Sequence, residues 1–275
     1  MPELPEVETV KRTLQELTGG KTIQDVEVNW PKMIKRPDDA EAFRRLVSGQ
    51  TIQHIGRRGK FLLFHLDDYV VVSHLRMEGK YEMAGVEAPD KHTHIRFYFT
   101  DGTELRYKDV RKFGTMHLFD KGREEQELPL RQLGPEPYED KQFTGAYLYR
   151  RCRKTSRDIK TVLLDQREIA GLGNIYVDEA LFLAGIRPDA RAAVISQHRI
   201  NRLRRRITET IERAVEKGGS SVRSYVNGNG ETGYFQLELN VYGRKGESCR
   251  HCGSPVEKNI TAGRGTHYCP GCQRR

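Results

Sequence analysis

The four cysteines near the end of the chain are the feature that most limits how this sequence folds. They form two Cys-x2-Cys pairs, Cys249/Cys252 and Cys269/Cys272, separated by sixteen residues. This spacing fits a tetrahedral site in which four thiolates bind one zinc ion. Two disulfides are the alternative, but no secretory signal is visible, and disulfides are rare in reducing compartments. The sequence therefore predicts a structural zinc module, with no coordination position left for catalysis.

Charge and length suggest the class of partner. The chain has 275 residues, enough for two domains, and 47 Lys and Arg against 38 Asp and Glu give a net charge of +9. A basic balance of this size suits a polyanion such as a nucleic acid, although it does not say which one. No apolar run approaches the roughly 18 residues that a membrane span needs.

The first six residues, Met-Pro-Glu-Leu-Pro-Glu, carry a candidate nucleophile. Removal of Met1 would leave Pro2 with a secondary amine, and an α-amine with a pKa near 8 is partly neutral at physiological pH. Such an amine can form a Schiff base with a carbonyl-like carbon. The alternative is that proline and glutamate simply begin a helix. Apolar residues from Val7 to Leu17 at helical spacing, followed by Gly19-Gly20, predict an amphipathic helix that anchors Pro2.

Residues 21–119 show mainly β patterns. Two apolar runs, 61–66 and 69–74, flank an Asp67-Asp68 turn, and alternating residues flank Asp101-Gly102. Asp-Gly between alternating strands is a strong hairpin signal. Several short antiparallel strands predict a sandwich or a barrel.

Two turns in this half have unusual chemistry. Lys60 stands between a glycine and an apolar strand, where a solvated basic turn is the alternative. Phe113 follows Arg111 and Lys112. An apolar wedge beside a cation is typical of proteins that open duplex DNA. A core phenylalanine with two solvated cations is the alternative here.

The second half of the chain reads as helical after a Gly-Pro-Glu-Pro stretch at 134–137. Residues 171–174, Gly-Leu-Gly-Asn, place backbone N–H groups at a helix start, where a phosphate can bind. A long amphipathic helix runs from Ile200 to Ala214, and a glycine-rich stretch follows at 220–233. Between the cysteine pairs, Gly-Arg-Gly sets Arg264 at a turn tip, which suits DNA contact.

Five stretches, in order, resemble the motifs of the bacterial formamidopyrimidine-DNA glycosylase family. They are residues 2–8, the Lys60 turn, 111–114, 171–179 and 263–272. The resemblance covers essentially the whole chain and implies an α+β, multidomain fold. Its expected parts are an N-terminal β-sandwich with an N-terminal helix (1–133), a linker (134–152), a helical helix–two-turn–helix domain with a lesion loop (153–238) and a four-cysteine zinc finger (239–275).

The resemblance also implies a bifunctional enzyme of base-excision repair. It would remove 8-oxoguanine and formamidopyrimidines from double-stranded DNA and then cut the backbone as an AP lyase, also at abasic sites. Pro2 is the expected nucleophile and Glu3 the general acid and base. Lys60 matches a proton donor in β-elimination, and Arg264 matches an arginine of δ-elimination and phosphate contact. A cytoplasmic, nucleoid-associated monomer with one structural zinc is expected.

Other site residues follow from the same resemblance. Those expected to fill the gap left by the damaged nucleotide are Met77, Arg111 and Phe113. Those expected at DNA-contact positions are His74, His92, Lys160, Asn174, Tyr242 and Lys258. Those expected in the lesion pocket are Glu6, Glu78, Ser220, Arg223 and Tyr225.

Three other readings stay open at this point. An endonuclease VIII-like enzyme for oxidised pyrimidines shares the Pro-Glu start, although residues 4–8 and 111–113 favour the purine branch. A zinc-bearing DNA-binding protein without catalysis is the second reading. A zinc-ribbon RNA-binding protein, supported only by charge and cysteines, is the third.

Overall fold

A computed structural model describes residues 1–85, 88–220 and 234–275. The chain divides into two compact units. The first comprises Met1–Arg131 and the segment that starts at Ser220, and the second comprises Gln132–Gly219 and Tyr234–Arg275. Each unit is built around elements that position a separate part of the candidate site.

Helix α1, Leu4–Thr18, opens the first unit and confirms the predicted amphipathic helix. Its buried face includes Val7, Val10 and Leu14, each at most 2% exposed, and it packs against the β3–β4 hairpin described below. The helix ends at Gly19, as the Gly-Gly pair predicts. Burial of this face holds the residues just before the helix in one place.

In the described part of the first unit, nine strands form two sheets. They are β1 Ile23–Val28, β2 Ile34–Arg36, β3 His54–Arg58, β4 Phe61–His65, β5 Tyr69–His74, β6 Lys80–Met83, β7 Thr93–Phe99, β8 Glu104–Lys108 and β9 Thr115–Asp120. One sheet has the order β1-β7-β8-β6 and the other β2-β9-β5-β4-β3. Only β2 and β9 pair in parallel among the described strands.

One apolar core cluster contains residues of both sheets, with Phe97 and Tyr107 from one and Phe64 and Leu118 from the other. The predicted β-sandwich is therefore confirmed. Helix α2, Ala40–Val47, was missed by the prediction of a mainly β stretch, although Asp39 caps it and Phe43 and Val47 follow helical spacing.

The second unit contains four helices and a two-stranded hairpin. The helices are α3 Gly145–Arg153, α4 Ile159–Leu164, α5 Asn174–Ala184 and α6 Gln197–Glu216, and the strands are β10 Glu257–Thr261 and β11 Arg264–Tyr268. Helix α6 confirms the predicted long amphipathic helix, and α3 lies across the end of the predicted linker. None of the helices in the described ranges has the length and apolar composition to cross a membrane.

Candidate active site and nucleic-acid interface

Pro2 and Glu3 are buried at the start of α1. Glu3 is the N-cap residue and only 3% exposed, whereas Met1 is 43% exposed. The Glu3 N–H donates to the Glu6 carboxylate at 2.8 Å, which fixes the backbone beside Pro2. An anchored terminus of this kind keeps a nucleophile and a neighbouring carboxyl group in a constant geometry, as catalysis requires.

Glu6 joins this terminus to a distant part of the chain. Its second carboxylate oxygen accepts the Ser220 N–H at 2.7 Å and lies 3.3 Å from the Ser220 hydroxyl. Both residues, predicted for the lesion pocket, are buried and meet in the first unit. Of the other predicted pocket residues, Glu78 is exposed. Arg223 and Tyr225 lie outside the described residues.

Lys60 lies in a two-residue turn between β3 and β4, where Arg58 pairs with Phe61. Gly59 has a φ of 58°, which glycine adopts without strain. The lysine is only 5% exposed, so the alternative of a solvated basic turn is wrong.

A buried ion pair ties this turn to α1. Arg57 Nε lies 3.0 Å from the Glu8 carboxylate, and Arg57 Nη1 donates to the Gly59 carbonyl at 3.0 Å. Burial raises the pKa of Glu8, but hydrogen bonds from Lys11 and Arg57 outweigh it and leave that pKa below its usual value. The helix that carries Pro2 and the turn that carries Lys60 are therefore held by one guanidinium.

His74 ends β5 and is 7% exposed. Its Nδ1 accepts the Arg76 N–H at 2.9 Å, and its ring packs edge-on against Phe61 at 4.6 Å between centroids. Burial, reinforced by the charges of Arg76 and Lys60, lowers its pKa from 6.5 to about 3. The imidazole is neutral at physiological pH, and Nε2 carries its single hydrogen, which suits donation to a phosphate.

This shift predicts an acid-sensitive contribution to stability. The unfolded chain protonates His74 near pH 6.5 but the folded chain only near pH 3, so the contribution is complete above 6.5 and is lost as the pH falls. When the pH falls from 7 to 4.5, the free energy of unfolding should decrease in both proteins, but by about 2 kcal/mol less in His74→Gln than in the wild type. Denaturant titrations measure this, with the exposed His198→Gln as control. Equal losses for His74→Gln and the wild type would contradict the assignment.

The residues predicted to fill a DNA gap are exposed on two turns of the first unit. Phe113 is 50% exposed and Met77 is 41% exposed, and the Arg111 guanidinium lies 4.6 Å from the Phe113 ring centroid. The alternative of a core phenylalanine is therefore wrong. His92, predicted at a DNA-contact position, is half-buried in the turn before β7.

In the second unit, the finger hairpin is joined to helices α4 and α5. Asn174, the first residue of α5, donates from Nδ2 to the Gly265 carbonyl at 2.9 Å. Arg264 follows the two-residue turn Ala262-Gly263 and is exposed, as is Lys258 on the facing strand. The predicted Arg264 turn and the predicted helix start at Asn174 are thus in contact within one unit.

Lys160 has no exposed surface. Its Nζ donates to Asp178 at 2.6 Å and to Thr266 at 2.8 Å, and the second Asp178 oxygen accepts the His267 N–H at 2.8 Å. This geometry favours a role in holding the finger hairpin rather than the predicted direct DNA contact.

Tyr242 is placed by a buried carboxylate. Glu179, 1% exposed, accepts the backbone N–H groups of Asn240, Val241 and Tyr242 at 2.8–2.9 Å. The Tyr242 ring then lies edge-on to His267 at 5.0 Å, next to the finger hairpin.

The four predicted zinc ligands converge. Their sulfur atoms all lie within 4.8 Å of one another, with Cys249 and Cys272 at 3.8 Å and Cys252 and Cys269 at 3.4 Å. A disulfide needs about 2.05 Å. Zinc–sulfur bonds of about 2.3 Å in a tetrahedron set the sulfurs about 3.8 Å apart, so the thiolates fit one zinc ion.

Comparison with known proteins decides the family. Residues 1–116 match the formamidopyrimidine-DNA glycosylase N-terminal domain, residues 133–226 match the H2TH domain of the same glycosylase, and residues 246–275 match the zinc finger found in FPG and IleRS. The chain belongs to the formamidopyrimidine-DNA glycosylase family. It is a DNA glycosylase of that family with one structural zinc ion.

Full-length relatives agree with this assignment. The chain is 63% identical to formamidopyrimidine-DNA glycosylase of Bacillus licheniformis and 59% identical to that of Bacillus subtilis, each over 100% of both chains. Its structure is similar to that of a Lactococcus lactis FPG variant in complex with DNA containing Fapy-dG (TM-score 0.93, 43% identity, 100% of both chains). A complex of the Lactococcus lactis enzyme with abasic-site DNA gives a TM-score of 0.92 at 43% identity, over 99% of this chain and 100% of that one.

Sequence reasoning missed several residues that hold the glycosylase site together. They are the buried carboxylates Glu8, Asp109, Asp178 and Glu179 and the guanidinium of Arg57. Apart from Lys11 and Arg12, which lie one turn from Glu8, their partners are far away in sequence or are backbone N–H groups, so side-chain spacing carries little signal for them. Asp109 is the exception, since an aspartate that opens a turn often accepts nearby N–H groups.

Proposed function

We propose that this glycosylase excises formamidopyrimidines and 8-oxoguanine from double-stranded DNA and then cleaves the abasic strand. The anchored Pro2-Glu3 terminus is the observation that carries the proposal. The amine is held by a helix whose apolar face is buried, with a carboxyl group as its immediate neighbour. The names of the full-length relatives support the lesion class, and their bacterial sources support action in the cytoplasm on the nucleoid.

The reaction begins when the damaged nucleotide is turned out of the stack. The Pro2 nitrogen, free of Met1, attacks C1′ of the sugar, and the base leaves with the electron pair of the glycosidic bond. Glu3 transfers protons as the base departs and the sugar ring opens. A secondary amine gives an iminium with no N–H to lose. Its fixed positive charge acidifies C2′, which is a physical reason for proline at this position.

Elimination follows from that charge. Loss of the C2′ proton expels the 3′ phosphate, and a second elimination expels the 5′ phosphate. Lys60 is the proposed proton donor of the first step, and Arg264 is proposed to contact the phosphate in the second. Burial of Lys60 in a fixed turn supports its role, because a proton donor must be held within hydrogen-bond reach of the reacting atoms.

The remaining residues are proposed to hold the DNA. His74, His92, Asn174, Tyr242 and Lys258 contact the backbone, Met77, Arg111 and Phe113 fill the gap, and Glu6, Glu78, Ser220, Arg223 and Tyr225 form the lesion pocket. The exposed apolar surface of Phe113 beside the Arg111 cation supports the second group. Lys160 is proposed to support the finger hairpin.

Borohydride trapping tests the chemistry. Duplexes carrying 8-oxoguanine, thymine glycol or a preformed abasic site are incubated with the protein and borohydride, and intact mass shows whether Met1 is absent. We expect a covalent adduct with the 8-oxoguanine and abasic duplexes, and weaker trapping in Pro2→Gly, because the imine of a primary amine can lose its N–H proton and with it the fixed positive charge. Retention of Met1 should also prevent trapping, because the Pro2 nitrogen is then part of a peptide bond and not a free amine.

The outcomes separate the alternatives. Preference for thymine glycol would place the chain in the endonuclease VIII-like branch. DNA binding without any adduct would support a non-catalytic protein and overturn the proposal. Trapping by Pro2→Gly at the wild-type rate would be consistent with the proposed enzyme activity but would contradict a special role for proline as the nucleophile.

A further inference from the structure

The turn between β8 and β9, residues 109–114, is organised by one buried carboxylate. Asp109 is 1% exposed. Its Oδ1 accepts the Arg111 N–H at 3.0 Å, and its Oδ2 accepts the N–H groups of Phe113 at 2.9 Å and Gly114 at 2.8 Å. A carboxylate has about four acceptor positions, so one side chain satisfies three donors of this turn. We call residues 109–114 the wedge loop.

The base of the wedge loop is fixed as well. The Asp109 N–H donates to the His92 carbonyl at 3.0 Å, and the Asp109 carbonyl lies 2.9 Å from His94 Nε2. Lys112 has a φ of 58°, a left-handed conformation that a non-glycine residue keeps only when its surroundings enforce it. Its ammonium lies 4.0 Å from the Trp30 ring centroid.

Tyr107 links the wedge loop to the turn that carries Met77. A Cβ at Gly114 would stand 1.8 Å from the Tyr107 hydroxyl oxygen, and a Cβ at Gly79 would stand 2.1 Å from it. The buried phenol therefore packs directly on the backbone of both turns, at positions where only glycine fits. The two turns with exposed apolar tips rest on a common support.

This support has a physical consequence for base flipping. A side chain that enters the stack must compensate an unstacking cost of a few kcal/mol per step. If the loop had to become ordered at the same moment, the conformational entropy that it lost would reduce the favourable free energy left to offset the unstacking cost. We propose that Asp109 is a positioning residue that keeps Arg111 and Phe113 in their insertion geometry before DNA binds. The inference rests on the proposed function and extends it.

Substitution of Asp109 tests this role with two DNA substrates. The first is an 8-oxoguanine duplex, whose base must leave the stack. The second is a single-stranded abasic oligonucleotide, which has no opposite strand to invade. We expect Asp109→Ala to lower single-turnover excision from the duplex at least tenfold, since three charge-assisted hydrogen bonds are lost. Trapping on the single strand should stay within about twofold of the wild type, because the wedge has no role there.

Two more variants make the experiment specific. Asp109→Asn keeps the size but turns an amide N–H against one of the three donors, so excision should recover to within about threefold of the wild type. Asp101→Ala is the matched control, because this exposed aspartate also accepts a turn N–H, from Thr103 at 2.9 Å, but at the other end of β8. It should leave both reactions unchanged.

A double-mutant cycle ties the effect to Phe113. Because Asp109 also holds Arg111, Asp109→Ala should still lower excision when Phe113 is already alanine, but by clearly less than it does in the wild type. Multiplicative losses, equal losses on both substrates, or wild-type excision by Asp109→Ala would each overturn the inference. Should Asp109→Ala fail to fold, Asp109→Asn decides: a loss of up to about threefold on the duplex with none on the single strand supports the inference, and equal losses on both substrates overturn it. Failure of the wild type on the 8-oxoguanine duplex would instead refute the proposed function.

Discussion

Replacing Glu3 by glutamine should stop base excision while leaving DNA binding intact. Glutamine has nearly the same shape, and the hydrogen bond from residue 3 to Glu6 is made by the backbone N–H, so α1 keeps its start. What the variant loses is a group that can accept and return a proton. Proton transfer by a positioned side chain contributes about 10²–10⁴-fold, and a loss of that size is expected in single-turnover excision of 8-oxoguanine.

The control for this prediction lies on the same helix. Glu16 is exposed on α1, so Glu16→Gln removes the same charge without touching the terminus. Anisotropy with a labelled 8-oxoguanine duplex should give dissociation constants within about threefold for the wild type and both variants, because an isosteric change leaves the contacts in place. Excision by Glu3→Gln at the rate of Glu16→Gln would remove Glu3 from the proton-transfer role.

Elements with a strong local pattern were predictable from the sequence. Helix α1 has apolar residues at helical spacing and a Gly-Gly end, and the hairpins around Asp67-Asp68 and Asp101-Gly102 have alternating strands beside turn residues. Helix α2 was missed although Asp39 caps it and Phe43 and Val47 follow helical spacing, because its eight residues lie within a stretch of β patterns.

The candidate site also has features that were predictable from the sequence and others that were not. Pro2, Lys60 and the cysteines are recognisable because their chemistry depends on residue type and spacing. Burial of Lys60 was not foreseeable, since it depends on how the β3–β4 turn packs after folding. Lys160 could not be assigned correctly from the sequence: the family resemblance places it at a DNA-contact position, but its partner Asp178 is eighteen residues away and its partner Thr266 is on the finger.

Serine at Cys249 should release zinc and weaken DNA binding. The finger has a small core in which Phe182, Val241 and Val256 pack around two of the cysteines. So little apolar burial cannot order the segment alone, and metal binding supplies about 10–16 kcal/mol in comparable modules. Without a fourth thiolate, the hairpin that carries Arg264 and Lys258 should lose its fixed geometry. We expect duplex affinity to fall at least about tenfold, the equivalent of a few lost phosphate contacts.

Cys152 is the matched control for that experiment. It is the fifth cysteine, fully buried in α3, and burial raises the pKa of its thiol to about 12, so it is neither a ligand nor a reactive nucleophile. Zinc measured by elemental analysis should be one per chain in the wild type and in Cys152→Ser and close to zero in Cys249→Ser. Unchanged DNA affinity in metal-free Cys249→Ser would contradict a structural role for zinc, because the finger would then hold its DNA-binding geometry without the metal.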